Sequence, residues 1–154
     1  MKFLDKNFFN ELMVEVVMRF KKHIFDDKGG GANANDVHGR PYKGYSEEYG
    51  KAKKSGKLKG IDGTPQDTKF SNSTAPVLTG QFKNSFDESA ATSKGFGFGT
   101  ISGRGRLKSL TNMKREVSTN AKPLPDKVAD YIMDEVNKKS WKWWRKVKDN
   151  EITI

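Results

Sequence analysis

Phe8 and Phe9, Leu12 and Met13, and Val16 and Val17 are adjacent apolar pairs that recur every four residues, and Phe20 and Ile24 continue the series. A helix puts such positions on one face, so the spacing predicts an amphipathic helix over residues 5–25 with a single apolar stripe. Asp5 or Asn7 is placed to cap its start. Lys21, Lys22 and His23 fall in the last turn, where cations suit the helix dipole. His23 therefore reads as a surface residue and not as a ligand. Gly29-Gly30-Gly31 then ends the pattern, and a polar stretch runs on to Pro41.

A second helical period begins at Pro125, a residue suited to a first turn. Val128, Ala129, Ile132, Met133 and Val136 carry it, and Trp141, Trp143, Trp144 and Val147 extend it. The expected helix covers 125–148, about 36 Å at 1.5 Å per residue. Between the two helices the signals are short. Ser46 before Glu47 and Glu48 predicts a brief helix with Tyr45, Tyr49 and Ala52 on one face. Leu78, Phe82 and Phe86, four apart, predict a helical turn capped by Thr79 that packs those side chains inward. Ser89–Thr92, a turn at Ser93–Gly95, and Phe96–Ile101 read as a β-hairpin. Residues 102–122 fit a strand, a short helix or an extended arm equally. The fold class expected is α+β: one domain over 1–154, with long loops at about 26–45 and 55–76, a small antiparallel β region and a long C-terminal helix.

The 154 residues carry 29 Lys and Arg against 19 Asp and Glu, a formal net charge of +10. The excess is local. Residues 101–123 hold six cations and one acid, and 41–62 hold six and three. Six cations from Lys138 to Lys148 follow one another with no acid among them. Clusters of this kind attract phosphate or an acidic protein face. Lys51, Lys53, Lys54, Arg104, Arg106, Lys108, Lys142, Arg145 and Lys146 are the candidates for contact with DNA or an acidic partner.

Several chemistries lack their residues. There is no cysteine, hence no disulfide and no thiolate metal site, and only His23 and His38 supply imidazoles. Gly95-Phe96-Gly97-Phe98-Gly99 lacks the Gly-Lys-Ser/Thr ending of a phosphate loop, and Ser102 stands where a dinucleotide fingerprint needs its third glycine. It reads as a glycine-rich strand. No apolar run approaches the roughly 20 residues of a membrane span, and residues 1–12 lack a continuous apolar signal core, so neither membrane anchor nor export is expected. No catalytic residues, metal or cofactor are expected. Ser140-Trp141-Lys142-Trp143-Trp144-Arg145-Lys146 interleaves indoles with cations, more tryptophan than one end of a small core needs.

Arg40-Pro41-Tyr42-Lys43-Gly44-Tyr45-Ser46-x-x-Tyr49-x-Lys51-x-Lys53, and about 25 residues later Leu78-Thr79-Gly80-Gln81-Phe82-Lys83-Asn84-Ser85-Phe86, resembles the tailed-bacteriophage virion-morphogenesis proteins of the Mu G-like and HK97-type connector groups. In those families a "Tyr-Ser-x-x-Tyr-x-x-x-Lys" stretch precedes "Leu-Thr-Gly" and a hairpin. The family's "Tyr-Ala-x-x-His-x-x-Gly" segment is absent, and its "Pro-x-Arg-Pro" is reduced to Lys122-Pro123-Leu124-Pro125. The resemblance implies a neck or tail-completion protein, assembled in the host cytoplasm and built into the virion. Such proteins form homo-oligomeric rings, here expected at about six or twelve copies, between portal or adaptor and tail proteins, with packaged DNA in reach. It further implies that neighbouring subunits order the long loops, with Tyr42, Tyr45, Tyr49, Trp141 and Trp143 as subunit contacts. Leu78, Thr79, Gly80, Phe82, Ser85 and Phe86 form a structural motif. The alternative reading is a non-specific nucleic-acid-binding protein using basic arms and stacked tryptophans.

Overall fold

The computed structural model describes residues 4–26, 28–99, 110 and 115–151. The periodic ladder forms α1, Lys6–Phe25, whose first turn is closed by the Asp5 carboxylate accepting from Phe8 N at 2.8 Å. The helix stops at Asp26, which adopts a left-handed conformation at φ 48° and donates its backbone N–H to Lys22 O. The Asp26 carboxylate then accepts from Asn33 N at 2.9 Å, so one residue both ends the helix and anchors the glycine-rich loop behind it. α2, Glu47–Lys54, starts at Ser46 as its sequence requires, and a 3₁₀ turn follows at Thr68–Phe70. α3 is Gln81–Asn84, β1 is Asp87–Thr92, β2 is Gly95–Gly99, and α4 is Asp126–Glu151. The two strands pair antiparallel, Thr92 opposite Gly95 and Asp87 opposite Gly99, with an irregularity between Glu88 and Ala91. The chain is therefore an α+β domain with a long helix at each end and one hairpin.

α1 is the common wall of two apolar clusters. Its C-terminal half gives Phe20, Ile24 and Phe25 to a cluster with Tyr42, Phe70, Val77, Phe82, Phe86 and Val117. Its N-terminal half gives Phe9, Leu12, Met13 and Val16 to a second cluster with Ala91, Phe96, Val128 and Ile132. Leu124 packs against both. The first cluster is knitted by aromatic contacts: Phe25 meets Phe82 edge-on at 5.9 Å, and Phe86 lies 5.2 Å from both Phe20 and Phe82. Such pairs add to the burial of the rings themselves.

Three sequence expectations change. The loops at 26–45 and 55–76, whose ordering the resemblance left to neighbouring subunits, supply Ala34, Val37, Tyr42, Phe70 and Ala75 to the interior of the single chain. Single apolar residues spaced by polar ones leave no period to read, yet Ala34, Tyr42, Phe70 and Ala75 join the cluster built on the C-terminal half of α1. Their approach is close. Gly31 sits at φ 82°, and a Cβ there would collide with Ser73 Oγ, which donates to Gly31 O at 3.0 Å and accepts from Ala75 N at 2.9 Å. The helical turn at 78–86 is shorter than its spacing suggests. Gly80, at φ 80°, begins α3 without a side-chain cap, and Thr79 only receives a long contact from Gln81 N at 3.5 Å. Phe82 and Phe86 are buried and Leu78 is half-buried, so the inward packing holds although the helix is four residues long. His23, expected at the surface, is half-buried with Nε2 3.0 Å from Asp36 O.

Phe86 touches both α1 and α3 through its ring, so Phe86→Ala removes a contact that the rest of the cluster cannot refill. It is expected to cost about 3–5 kcal/mol in a urea unfolding titration, whereas Met18→Ala, on the exposed side of α1, changes stability by no more than about 0.5 kcal/mol.

Candidate functional site

The Tyr45–Lys53 stretch meets the 73–75 loop that leads into Leu78-Thr79-Gly80. α2 turns Lys53 inward, where it is 1% exposed. Its amine donates to Ser73 O at 2.7 Å and Ala75 O at 3.2 Å, and approaches the Tyr45 hydroxyl at 3.4 Å. Tyr45 itself donates to Ala75 O at 2.9 Å. From the other side Arg115, 5% exposed, sends one guanidinium nitrogen to Thr74 O and another to Lys43 O, both at 2.6 Å. The guanidinium lies 3.9 Å from the centre of the Tyr45 ring, and the Lys53 amine lies 4.7 Å from the same ring. Tyr49 closes the group edge-on to Tyr45 at 4.8 Å. Among the described residues no carboxylate pairs with either cation.

Burial, with the Arg115 charge second, pushes the Lys53 amine down to about 8. Burial also pushes the Tyr45 phenol up to about 12, against the pull of Arg115, and raises Tyr42 and Tyr49. Beside the hub a cleft of about 600 Å³ opens between Lys43–Ser46, Tyr49, Pro76–Leu78, Leu110 and Arg115. It offers aromatic and aliphatic walls with cations at one side. A second set of charges fixes the loop at 35–41. Asp36 accepts from the backbone N–H groups of His38 and Arg40 and from the Arg40 guanidinium, while Glu116 meets His38 Nε2 at 2.7 Å and Arg40 at 3.4 Å. A third links the 60–65 turn to α3: Asp62 accepts from Gln81 Nε2 at 2.6 Å and from Thr64 Oγ1 at 2.8 Å, which holds its carboxyl down at about 2.

The candidates of the sequence divide accordingly. Lys53 is not available to DNA or a partner, because its donors are spent on carbonyls; its neighbours Lys51, paired with Glu47 at 2.6 Å, and Lys54 are exposed. Tyr42 is in the core at 6% exposure, so it is no subunit contact. Tyr45 is half-buried in the hub, and Tyr49 is 37% exposed at the cleft. Ser85 braces α3 by donating to Phe82 O at 2.7 Å. Arg104, Arg106 and Lys108 lie outside the described residues.

Lys142, Arg145 and Lys146 are exposed on α4. So are Trp141 at 68% and Trp144 at 60%, while Trp143 is half-buried and meets Trp144 edge-on at 5.5 Å. The outward tryptophans are thus Trp141 and Trp144, not Trp141 and Trp143. α4 runs antiparallel to α1, since Arg19 stacks on Tyr131 at 3.8 Å and Lys139 on Phe8 at 5.5 Å. From Lys139 on, α4 continues for about 18 Å alongside and past the start of α1. Sequence reasoning missed Arg115, which sits in a stretch without pattern, and Met133, which the helical period placed among core residues but which is 60% exposed. Only the partners of Arg115 reveal its role, and those are backbone carbonyls.

Among the described residues no three His, Asp or Glu side chains converge on a point where a metal ion would fit, and no helix is long and apolar enough to cross a membrane. No family model, curated protein or solved structure matches this chain.

The Lys53 site makes stability depend on pH in a defined direction. Its folded value lies below that of a free amine, so between about pH 8 and 10 the unfolded chain holds more protons and stability rises with pH. Above about pH 10 the raised tyrosines reverse the slope, because the folded chain then retains protons that the unfolded chain has lost. Urea titrations from pH 7 to 10 check this: Lys53→Met is expected to flatten the rise and, by leaving Ser73 O without its donor while Ala75 O keeps Tyr45, to lower stability at pH 7 by about 1–3 kcal/mol.

Proposed function

We propose that this chain is a structural component of a tailed-phage virion, a neck or tail-completion protein that assembles as a homo-oligomeric ring between head and tail. The observation that carries the reading is the hub. The tyrosine–lysine stretch and the loop leading into Leu78-Thr79-Gly80, remote in sequence, are tied together by Lys53 and Tyr45, and those polar groups are consumed by backbone carbonyls. In this reading the shared motif is a device for giving long loops a fixed shape, which is what a subunit needs if its loops are to meet neighbours reproducibly. The partners are further copies and the portal, adaptor and tail proteins above and below; Trp141, Trp144 and Tyr49 are the exposed aromatics suited to such contacts.

A second reading has its own support. Lys138, Lys139, Lys142, Arg145, Lys146 and Lys148 are all exposed on one helix beside exposed indoles, as a non-specific nucleic-acid surface requires.

Mass spectrometry of nuclease-treated, gradient-purified particles separates the two. The structural reading expects about six to twelve copies per particle, a number set by ring symmetry. Absence from particles together with abundance in the lysate would sink it, and a DNA affinity that falls steeply with salt would then favour the second.

A further inference from the structure

The outer side of α4 changes character along its length. On a helix of about 3.6 residues per turn, Met133, Trp141 and Trp144 lie within about 80° of one another, and Val128 and Ile132, which pack toward α1, lie on the far side. The three are exposed by 60, 68 and 60%. Toward the N-terminus the same strip continues with Asp126 and Asp130, and toward the C-terminus with Lys148, Arg145 standing at its margin. All four of these charged residues are exposed. The strip carries acids at one end, where Asp126 is met by Lys122 of its own chain at 2.8 Å, is mainly apolar in the middle with exposed Asp134 at its margin, and is basic at the other end.

We propose that this strip is the contact surface for a second copy of the chain, packed antiparallel along α4 about a two-fold axis through Asn137. The register follows from the residue numbers. Positions four residues either side of Asn137 are Met133 and Trp141, and positions eleven either side are Asp126 and Lys148. Seven either side places Asp130 opposite Trp144, with Arg145 of the same copy one residue further along. Reversing the helix therefore lays the acidic end of one copy on the basic end of the other, and a methionine on an indole at both sides of the axis. Such a contact is isologous, so each pair occurs twice.

A polyanion does not fit this strip, because Asp126 and Asp130 occupy half of it. Lys138, Lys142 and Lys146 fall on a different flank of the helix, which leaves them outside the contact. A single helix pair buries less than a standard interface, so the expected association is in the micromolar range. The pairing shares with the ring reading the premise of self-association and does not need the virion assignment. A two-fold contact is also distinct from the head-to-tail contacts that close a ring.

Sedimentation equilibrium of the full chain is expected to give a reversible step from one to two chain masses at micromolar concentration. Trp141→Ser raises the dissociation constant by about tenfold or more, with an unfolding midpoint unchanged at concentrations low enough to keep the chain single, since the side chain is exposed there. Asp130→Lys and Arg145→Asp each weaken association by about 2–10-fold, and the two together restore it. Because the chain has no cysteine, Asn137→Cys reports the axis: mild oxidation joins two copies through it, while Lys142→Cys on the other flank remains unjoined. A single chain mass at every concentration, or association that ignores Trp141→Ser and the charge exchange, overturns the proposal. So does equal cross-linking at 137 and 142, or binding of a DNA oligonucleotide that Trp141→Ser abolishes. Particle content is measured separately, so the pairing and the virion assignment can fail independently.

Discussion

Among the described residues between Asp26 and Gly80 there are one eight-residue helix and one 3₁₀ turn, so most of the backbone there is outside any ladder. Scattered backbone bonds such as Gln66 N to Leu58 O and Asp67 N to Leu78 O satisfy part of it, and Lys53 and Arg115 satisfy a further part. Their donors hold the carbonyls of Ser73, Thr74, Ala75 and Lys43, and their charges rest against the Tyr45 ring. Two long cationic side chains thereby do for an irregular segment what neighbouring strands do in a sheet. The cost is a desolvated amine, visible in the lowered Lys53 value. The return is a fixed path for Phe70, Ala75 and Val77, which join Phe82 and Phe86 in covering the C-terminal half of α1.

α1 links this polar hub to the rest of the fold. One stripe serves two clusters, one under the loops and one under the hairpin and α4. Leu124 spans both, so the entry to α4 is tied to the loops as well as to α1. The β-hairpin contributes little hydrogen-bonded structure, two strands only, and takes its place through Ala91 and Phe96 on the α1 side. A two-stranded hairpin is marginal alone and gains its stability from what it packs on.

α4 divides its labour by face. Val128, Ile132 and Val136 lie toward the body, and Met133, Trp141 and Trp144 lie away from it. The tryptophans are not the finish of a core. Their exposure, on a helix that carries acids at one end and cations at the other, is what the proposed pairing of two copies uses. The cleft beside Tyr49 is a smaller feature of the same kind, apolar walls with Lys43 and Arg115 at its edge.

The amino-acid sequence by itself determined the two long helices, the Ser46 cap, the hairpin and the α+β class, because each rests on a period or on a side chain bonding its own backbone three residues away; between Asp5 and Asn7 as the cap of α1 only the structure chose. The sequence also set where the cations cluster. It did not determine that Lys53 is interior while Lys51 and Lys54 are exposed, since one residue's rotation on a short helix decides that and only the packing of α2 against Ser73–Ala75 fixes the rotation. Tyr42, Val37 and Phe70 were illegible for a related reason: an isolated apolar residue in a polar loop is buried only if a distant surface is there to receive it. Arg115 had no local signal at all, because its partners are carbonyls 41 and 72 residues away. The tertiary structure alone chose which side of α4 faces α1, and with it which tryptophans remain outside, because a helix with apolar residues on two sides can bury only the side that a partner element reaches.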